Sequence, residues 1–371
     1  MEVNKTTAEE SAVASAATEP KVTEKDHGVL YIGMDLGTSR TSIACSNGVR
    51  ETVASVIGYP KDIVARKHLK RSVLYGQEAF DQRLSLDFYR PLAHGVIKYS
   101  EDPSDGHSDA AKMNLKAARD LLQHAVRLSK PRRDELLYGV VGCPAQASIH
   151  NRKAIIDAAR EVLDSVMICS EPFAVAYGLD RFADVLVIDI GAGTTDLCRM
   201  HGTMPDDDDQ ITIKQAGDLV DETLKGLIQK RVPGAQLTIN MVREWKERWA
   251  SVRDTIEPIK AMIPINGKPT ECDITDEIRA ACRTLVAPIV EGLSTLISTF
   301  DPEFQSRLKR NVMLGGGGSQ IDGLGDEIAR VMQERLGEGV VHSVEEPVYA
   351  GANGALKIAH DMPEEYWEKL R

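Results

Sequence analysis

Lysine and arginine are outnumbered in this chain, 45 against 56 aspartates and glutamates, for a formal net charge of -11, and no Lys/Arg-rich run compensates locally. A polyanion such as nucleic acid therefore has no basic surface to meet and is not expected as a partner. Cysteine is sparse too. Cys45, Cys143, Cys169, Cys198, Cys272 and Cys282 lie far apart, with no CxxC and no Cys/His ligand spacing. That excludes a zinc knuckle and a disulfide framework, and it fits a reducing cytoplasm. No apolar stretch is expected to approach the roughly 20 residues of a membrane-spanning helix. Residues 1–27 lack the apolar centre of a secretory signal and are rich in Ala, Ser, Thr and Glu, so positions 1–28 read as a disordered leader.

What is present is α/β alternation over a chain of 371 residues, long enough for two cores. An apolar run at 29–34 reads as a buried strand ending in Asp35-Leu36-Gly37. Strand-like runs at 41–46 and 49–57 flank Asn47-Gly48, a strong hairpin signal. The same scheme returns at 185–190, followed by Gly191-Ala192-Gly193-Thr194-Thr195 and further strands at 196–200 and 211–214, which suggests an internal duplication. Helices are expected at 110–129, 149–163, 218–230, 241–251, 276–299, 322–336 and 347–360. Further strands are expected at 137–142, 166–169, 256–265, 270–274 and 312–314. The expected organisation is two related α/β domains around a cleft. The first covers 29–183 with a smaller insertion at about 58–110, the second 184–360 with an insertion at about 219–275, and a tail follows at 361–371. The acidic cluster 206–209 sits in a predicted hairpin tip and reads as a solvated turn rather than a metal site.

Three segments carry phosphate and nucleoside chemistry. In Asp35-Leu36-Gly37-Thr38-Ser39, a carboxylate at a strand end precedes small residues whose N–H and hydroxyl groups can donate to phosphate, and Asp35 can hold a metal ion through water. Asp189-Ile190-Gly191-Ala192-Gly193-Thr194 repeats that order of parts. Two such turns can grip the β- and γ-phosphates of one nucleotide from opposite sides with Mg²⁺ between them, whereas either turn alone is also compatible with an ordinary hairpin. Gly315-Gly316-Gly317-Gly318, between a strand and a helix, offers a bare backbone on which a nucleoside can lie. It is followed by no Gly-Lys-Ser/Thr and is not a P-loop.

Together, DLGTS, DIGAGTTD and GGGGSQIDG resemble the phosphate-one, phosphate-two and adenosine segments of the actin, sugar kinase and heat-shock chaperone ATPase superfamily, in order and across residues 29–360. Within it the chain is most similar to the bacterial actins. Stretches without a nucleotide role, including Gly58-Tyr59-Pro60-Lys61-Asp62, Tyr89-Arg90-Pro91-Leu92 and Pro363-Glu364-Glu365-Tyr366-Trp367, resemble the magnetosome actin-like proteins. Arg40, inside the first turn, is a departure from the pattern.

The resemblance implies ATP and Mg²⁺ as cofactors, ATP hydrolysis, and self-association into cytoplasmic filaments that position magnetosomes through adaptor proteins on their membranes. It also implies that Glu171 positions the attacking water; from sequence alone Ser170-Glu171-Pro172 has a helix start with an acid near the dipole as its other explanation. By the same resemblance Lys246 and Glu247 contact the nucleoside, and Asp218 lies by the cleft, where N-terminal capping is the other explanation. Thr194 is expected to assist through its hydroxyl. A chaperone-type ATPase or a small-molecule kinase of the same superfamily is the alternative. The histidines, His94 among them, form no recognisable set.

Overall fold

The computed structural model describes residues 28–98, 108–254 and 257–371. The leader expected over 1–28 lies, apart from Gly28, outside the described residues, as does the start of the strand expected at 256–265.

Two five-stranded mixed sheets form the centres of two lobes. In the first, the order is Ser165–Ser170, Leu136–Cys143, Val29–Leu36, Arg40–Cys45, Arg50–Ala54. In the second it is Val341–Ser343, Val312–Gly315, Ala183–Ile190, Thr195–His201, Gln210–Ile213. Each central strand runs parallel to one neighbour and antiparallel to the other, so the topology is the same twice. The register shows the duplication residue by residue. Asp35 pairs with Ser42 and Gly142, while Asp189 pairs with Asp196 and Gly315. The central strands are buried on both faces, which is why they read as continuous apolar runs rather than as alternation.

Helices cover the sheets for local reasons. Asp109–Leu128 starts where the Ser108 side chain accepts from Ala111 N, and it buries Ala117, Leu121 and Ala125 at i, i+4 spacing against the first lobe. The final long helix, Ala350–Asp361, returns from the second lobe to pack on Val29–Leu36 and on Glu171–Gly178, so two crossing helices join the lobes around a shared core that includes Ala174, Val187 and Ala355. The terminal segment is a short helix, Glu364–Leu370, with Trp367 fully buried against Tyr138. Smaller units sit on each lobe: a three-stranded sheet of Leu74–Tyr75, Ile57–Pro60 and Leu86–Tyr89 on the first, and a hairpin of Lys260–Ile265 and Lys268–Asp273 on the second.

Four sequence expectations change. The strand expected at 49–57 is two, Arg50–Ala54 in the main sheet and Ile57–Pro60 in the smaller one. The helix expected at 276–299 is two, Thr275–Arg283 and Val286–Ser298, divided at Thr284–Leu285 just ahead of Pro288, whose missing N–H and ring disfavour an unbroken helix. This run, Thr275–Ser298, is the one helical segment among the described residues long and apolar enough to cross a membrane, contrary to expectation. Its apolar face, with Ile289, Leu293 and Leu296, lies in the second lobe's core. The acidic cluster is likewise not wholly solvated. Asp209 is buried, takes Arg199 Nε at 2.8 Å and His201 Nε2 at 2.9 Å, and forms a capping box with Asp206.

Candidate functional site

Where the C-terminal ends of the two central strands approach each other, the lobes enclose a cavity of about 600 Å³. Equivalent sheet positions place Asp35 and Asp189 on its two sides, and each strand then turns through its small-residue segment.

The lobes meet at the first and second turns. Thr38 Oγ1 accepts from Gly95 N at 2.8 Å, and His94 Nδ1 donates to the Gly193 carbonyl at 2.9 Å. His94 and Gly95 adopt left-handed φ values of 49° and 70° at the tip of a two-residue hairpin, which aims this backbone at the second turn. A Cβ on Gly193 would stand 2.8 Å from His94 N and closer still to Thr38 Oγ1, so only glycine permits this approach.

The expected site residues divide cleanly. Asp35, Gly37, Thr38, Ser39, Glu171, Asp189, Gly191, Ala192, Gly193, Thr194, Lys246, Glu247, Gly316, Gly317 and Gly318 all line the cavity. Gly315 and Asp218 do not. Gly315 is the last residue of a buried strand, the counterpart of Gly142, and its place is set by pairing with Asp189. Asp218 stands in the first turn of Gly217–Arg231, where Arg243 Nη2 donates to it at 3.0 Å. Gly316 follows with φ at 75°, and Gly317 faces open space.

Lys246 lines the wall, yet its ammonium is held within its own lobe by Asp221 at 2.7 Å and the Gly217 carbonyl at 2.8 Å. Asp221 is fully buried and also pairs with Arg243 at 3.0 Å. Glu171 begins Glu171–Gly178 as a buried carboxylate ahead of Pro172.

Sequence reasoning missed Asp196, fully buried beside these acids, which accepts from Ala145 N at 2.8 Å and Thr212 Oγ1 at 2.5 Å. It stands in the sheet where the first lobe has Ser42, and its place after Thr195 was the available signal. Arg243, Arg248 and Trp249 on Ile239–Trp249 also reach the cavity, as does His94 through Gly193. Nothing local marked them.

Four acids thus converge. Burial, then the neighbouring Asp196 charge, pushes Asp35 up from its ordinary 3.8 to about 6. Glu171 is raised by burial and then by Asp35, Asp196 and Asp189; Asp189 is raised by burial and by Asp35 and Asp196; Asp196 is raised by burial against the pull of its hydrogen bonds. Such a set fits a divalent cation, whose charge would draw these groups back toward their ionised forms. Among the described residues no three His, Cys, Asp or Glu side chains are close enough to hold an ion directly. A cation held here would need waters or ligand oxygens to complete its shell, an arrangement that suits Mg²⁺.

The MreB/Mbl protein family model matches residues 30–366. The actin-like protein MamK of Paramagnetospirillum magneticum is 37% identical over 344 residues, 92% of this chain and 95% of that protein. A structure described as a MamK double helical filament superposes with a TM-score of 0.85 at 37% identity, covering 91% of this chain and all of that one. A non-polymerising MamK variant bound to AMPPNP gives 0.67 at 36% identity, over 90% and 99%. The sequence's expectation of an actin-like architecture holds, and the chain belongs to the MreB/Mbl family of actin-like proteins.

Proposed function

We propose that this chain is an ATP-hydrolysing actin that binds Mg-ATP between its lobes and assembles head to tail into cytoplasmic filaments. The observation that carries the reading is the facing of Thr38 and Gly193 across one cavity flanked by Asp35 and Asp189. The backbone donors of Thr38–Ser39 and of Gly191–Thr194 take the triphosphate from opposite sides, with the Thr38 and Thr194 hydroxyls beside them. Asp35 and Asp189 are the residues that would hold Mg²⁺, which when bound would supply charge neutralisation for the phosphates. Gly316–Gly318 supply a flat backbone for the nucleoside, and Lys246 and Glu247 form its other wall.

Glu171 is the group for the attacking water. It is buried at the start of its helix, and although burial and three acids raise its proton affinity, a bound cation would restore the ionised carboxylate that orients water and accepts a proton. Because the ligand touches both lobes, loss of the γ-phosphate removes part of what holds them together, and nucleotide state biases lobe geometry. A contact between unlike faces repeats without closing and yields a filament.

The MamK likeness supports the filament; we infer further that such filaments position magnetosomes through adaptor proteins on the magnetosome membrane. The test is pelleting with simultaneous phosphate release. The protein should sediment with Mg-ATP, remain in the supernatant without nucleotide or with EDTA, and release phosphate to water alone. Phosphate transfer to a sugar or acid, or ATP turnover with no sedimentable polymer, would overturn the reading.

A further inference from the structure

The cavity is closed at a second place, distinct from the Gly193 contact. Arg40, the first residue of Arg40–Cys45 in one lobe, reaches Glu247 on Ile239–Trp249 in the other, with Nη2 3.0 Å from Oε1. Both line the cavity. Their side chains are 47% and 46% exposed, and among the described residues neither makes another ion pair. The adjacent Lys246 is committed to Asp221 inside its own lobe, so Glu247 is free to answer a partner across the gap.

We propose that Arg40 is a positioning residue that straps the lobes together at the nucleoside end through Glu247, so that nucleotide affinity depends on the pair rather than on either charge alone. This rests on the nucleotide reading of the cavity. An exposed ion pair contributes little by itself, because water screens it and two long side chains must be ordered. Filling the cavity changes that balance: a ligand lying beside the pair excludes water and strengthens the attraction. A contact made only when the lobes are together adds its free energy to the binding of any ligand that requires them together. Arginine suits the task, since its planar fork fixes the orientation of the carboxylate it holds. The nucleoside end thus gains an interlobe contact that owes nothing to the γ-phosphate and persists after hydrolysis.

The competing account is that the Arg40 guanidinium contacts the phosphates itself. A double-mutant cycle separates the two. Calorimetric titration with Mg-ATP is carried out on the parent chain, Arg40→Ala, Glu247→Gln and the double variant, with thermal unfolding of each as a check on folding. The strap predicts that Arg40→Ala raises Kd about fivefold in the parent background. In the Glu247→Gln background the same change should have almost no further effect, and Arg40→Lys should recover part of the loss. An equal loss in both backgrounds, or no loss in the parent, would overturn the proposal. A parent chain that takes up no Mg-ATP would overturn the nucleotide reading, and the strap with it.

Discussion

Gly193 and His94 sit 99 positions apart, in different lobes, and are joined by a hydrogen bond of 2.9 Å from His94 Nδ1 to the Gly193 carbonyl. The contact leaves no room for a side chain, since a Cβ at Gly193 would lie 2.8 Å from both N and Cα of His94. Backbone cannot yield there as a flexible side chain could. Gly193→Ala should therefore wedge the lobes apart at about 1–3 kcal/mol, and Mg-ATP affinity measured by calorimetry should fall about tenfold or more. Unchanged affinity would mean that the approach of the two turns is incidental to binding.

Glu171→Ala removes the carboxylate proposed to orient water while leaving both glycine turns in position. Phosphate release should drop by roughly 10²–10⁴-fold, with Mg-ATP still bound and filaments still forming but failing to disassemble. Hydrolysis at the parental rate would remove Glu171 from its assigned role.

The acid cluster gives the nucleotide-free protein an unusual pH dependence. Asp35 has a folded pKa of about 6 against an ordinary 3.8, so between those values the folded state holds the proton more than the unfolded one does. Stability from this group is present in full below the unfolded pKa and is lost as pH rises through about 6. Thermal unfolding from pH 5 to pH 8 should show the parent losing more stability than Asp35→Asn over this range. Parallel profiles would contradict the raised pKa. Mg-ATP should bind more tightly on the alkaline side of the transition, where the carboxylate is ionised, and Asp189→Asn should weaken it at every pH.

Asp209 behaves in the opposite sense and does not line the cavity. Although burial works against its charge, hydrogen bonds from His201, the Asp206 backbone and Arg199 hold its carboxyl below the usual value. Its stabilisation is present above the ordinary carboxylate pKa and is lost only in stronger acid. Asp209→Asn leaves buried Arg199 without a counter-charge, which should cost about 3–5 kcal/mol in denaturant unfolding while Mg-ATP affinity in the folded protein stays near parental. A loss below about 1 kcal/mol would show that the pair is dispensable.

The parts of the site legible in the sequence were those whose chemistry is local. A carboxylate at a strand end followed by glycine and hydroxyl residues declares itself twice, at Asp35 and Asp189, and the sheets place both at equivalent positions. What stayed hidden depends on distant parts of the chain. Asp196 looked like the end of a turn motif until strand pairing set it opposite Asp189. His94 had no sequence neighbour to mark it, because its partner is the carbonyl of Gly193. Gly315, read as one of four ligand-facing glycines, belongs to the strand, while the bare loop begins at Gly316. Asp209 reads as a solvated acid in the sequence because its partner Arg199 lies on a neighbouring strand, ten residues earlier.

A structure of the protein with Mg²⁺ and AMPPNP decides whether one triphosphate is held by both lobes. The β- and γ-phosphates should contact the Thr38–Ser39 turn on one side and the Gly191–Thr194 turn on the other, with Asp35 and Asp189 around the hydrated ion. Phosphates touching a single lobe, with the other turn left in solvent, would contradict the account.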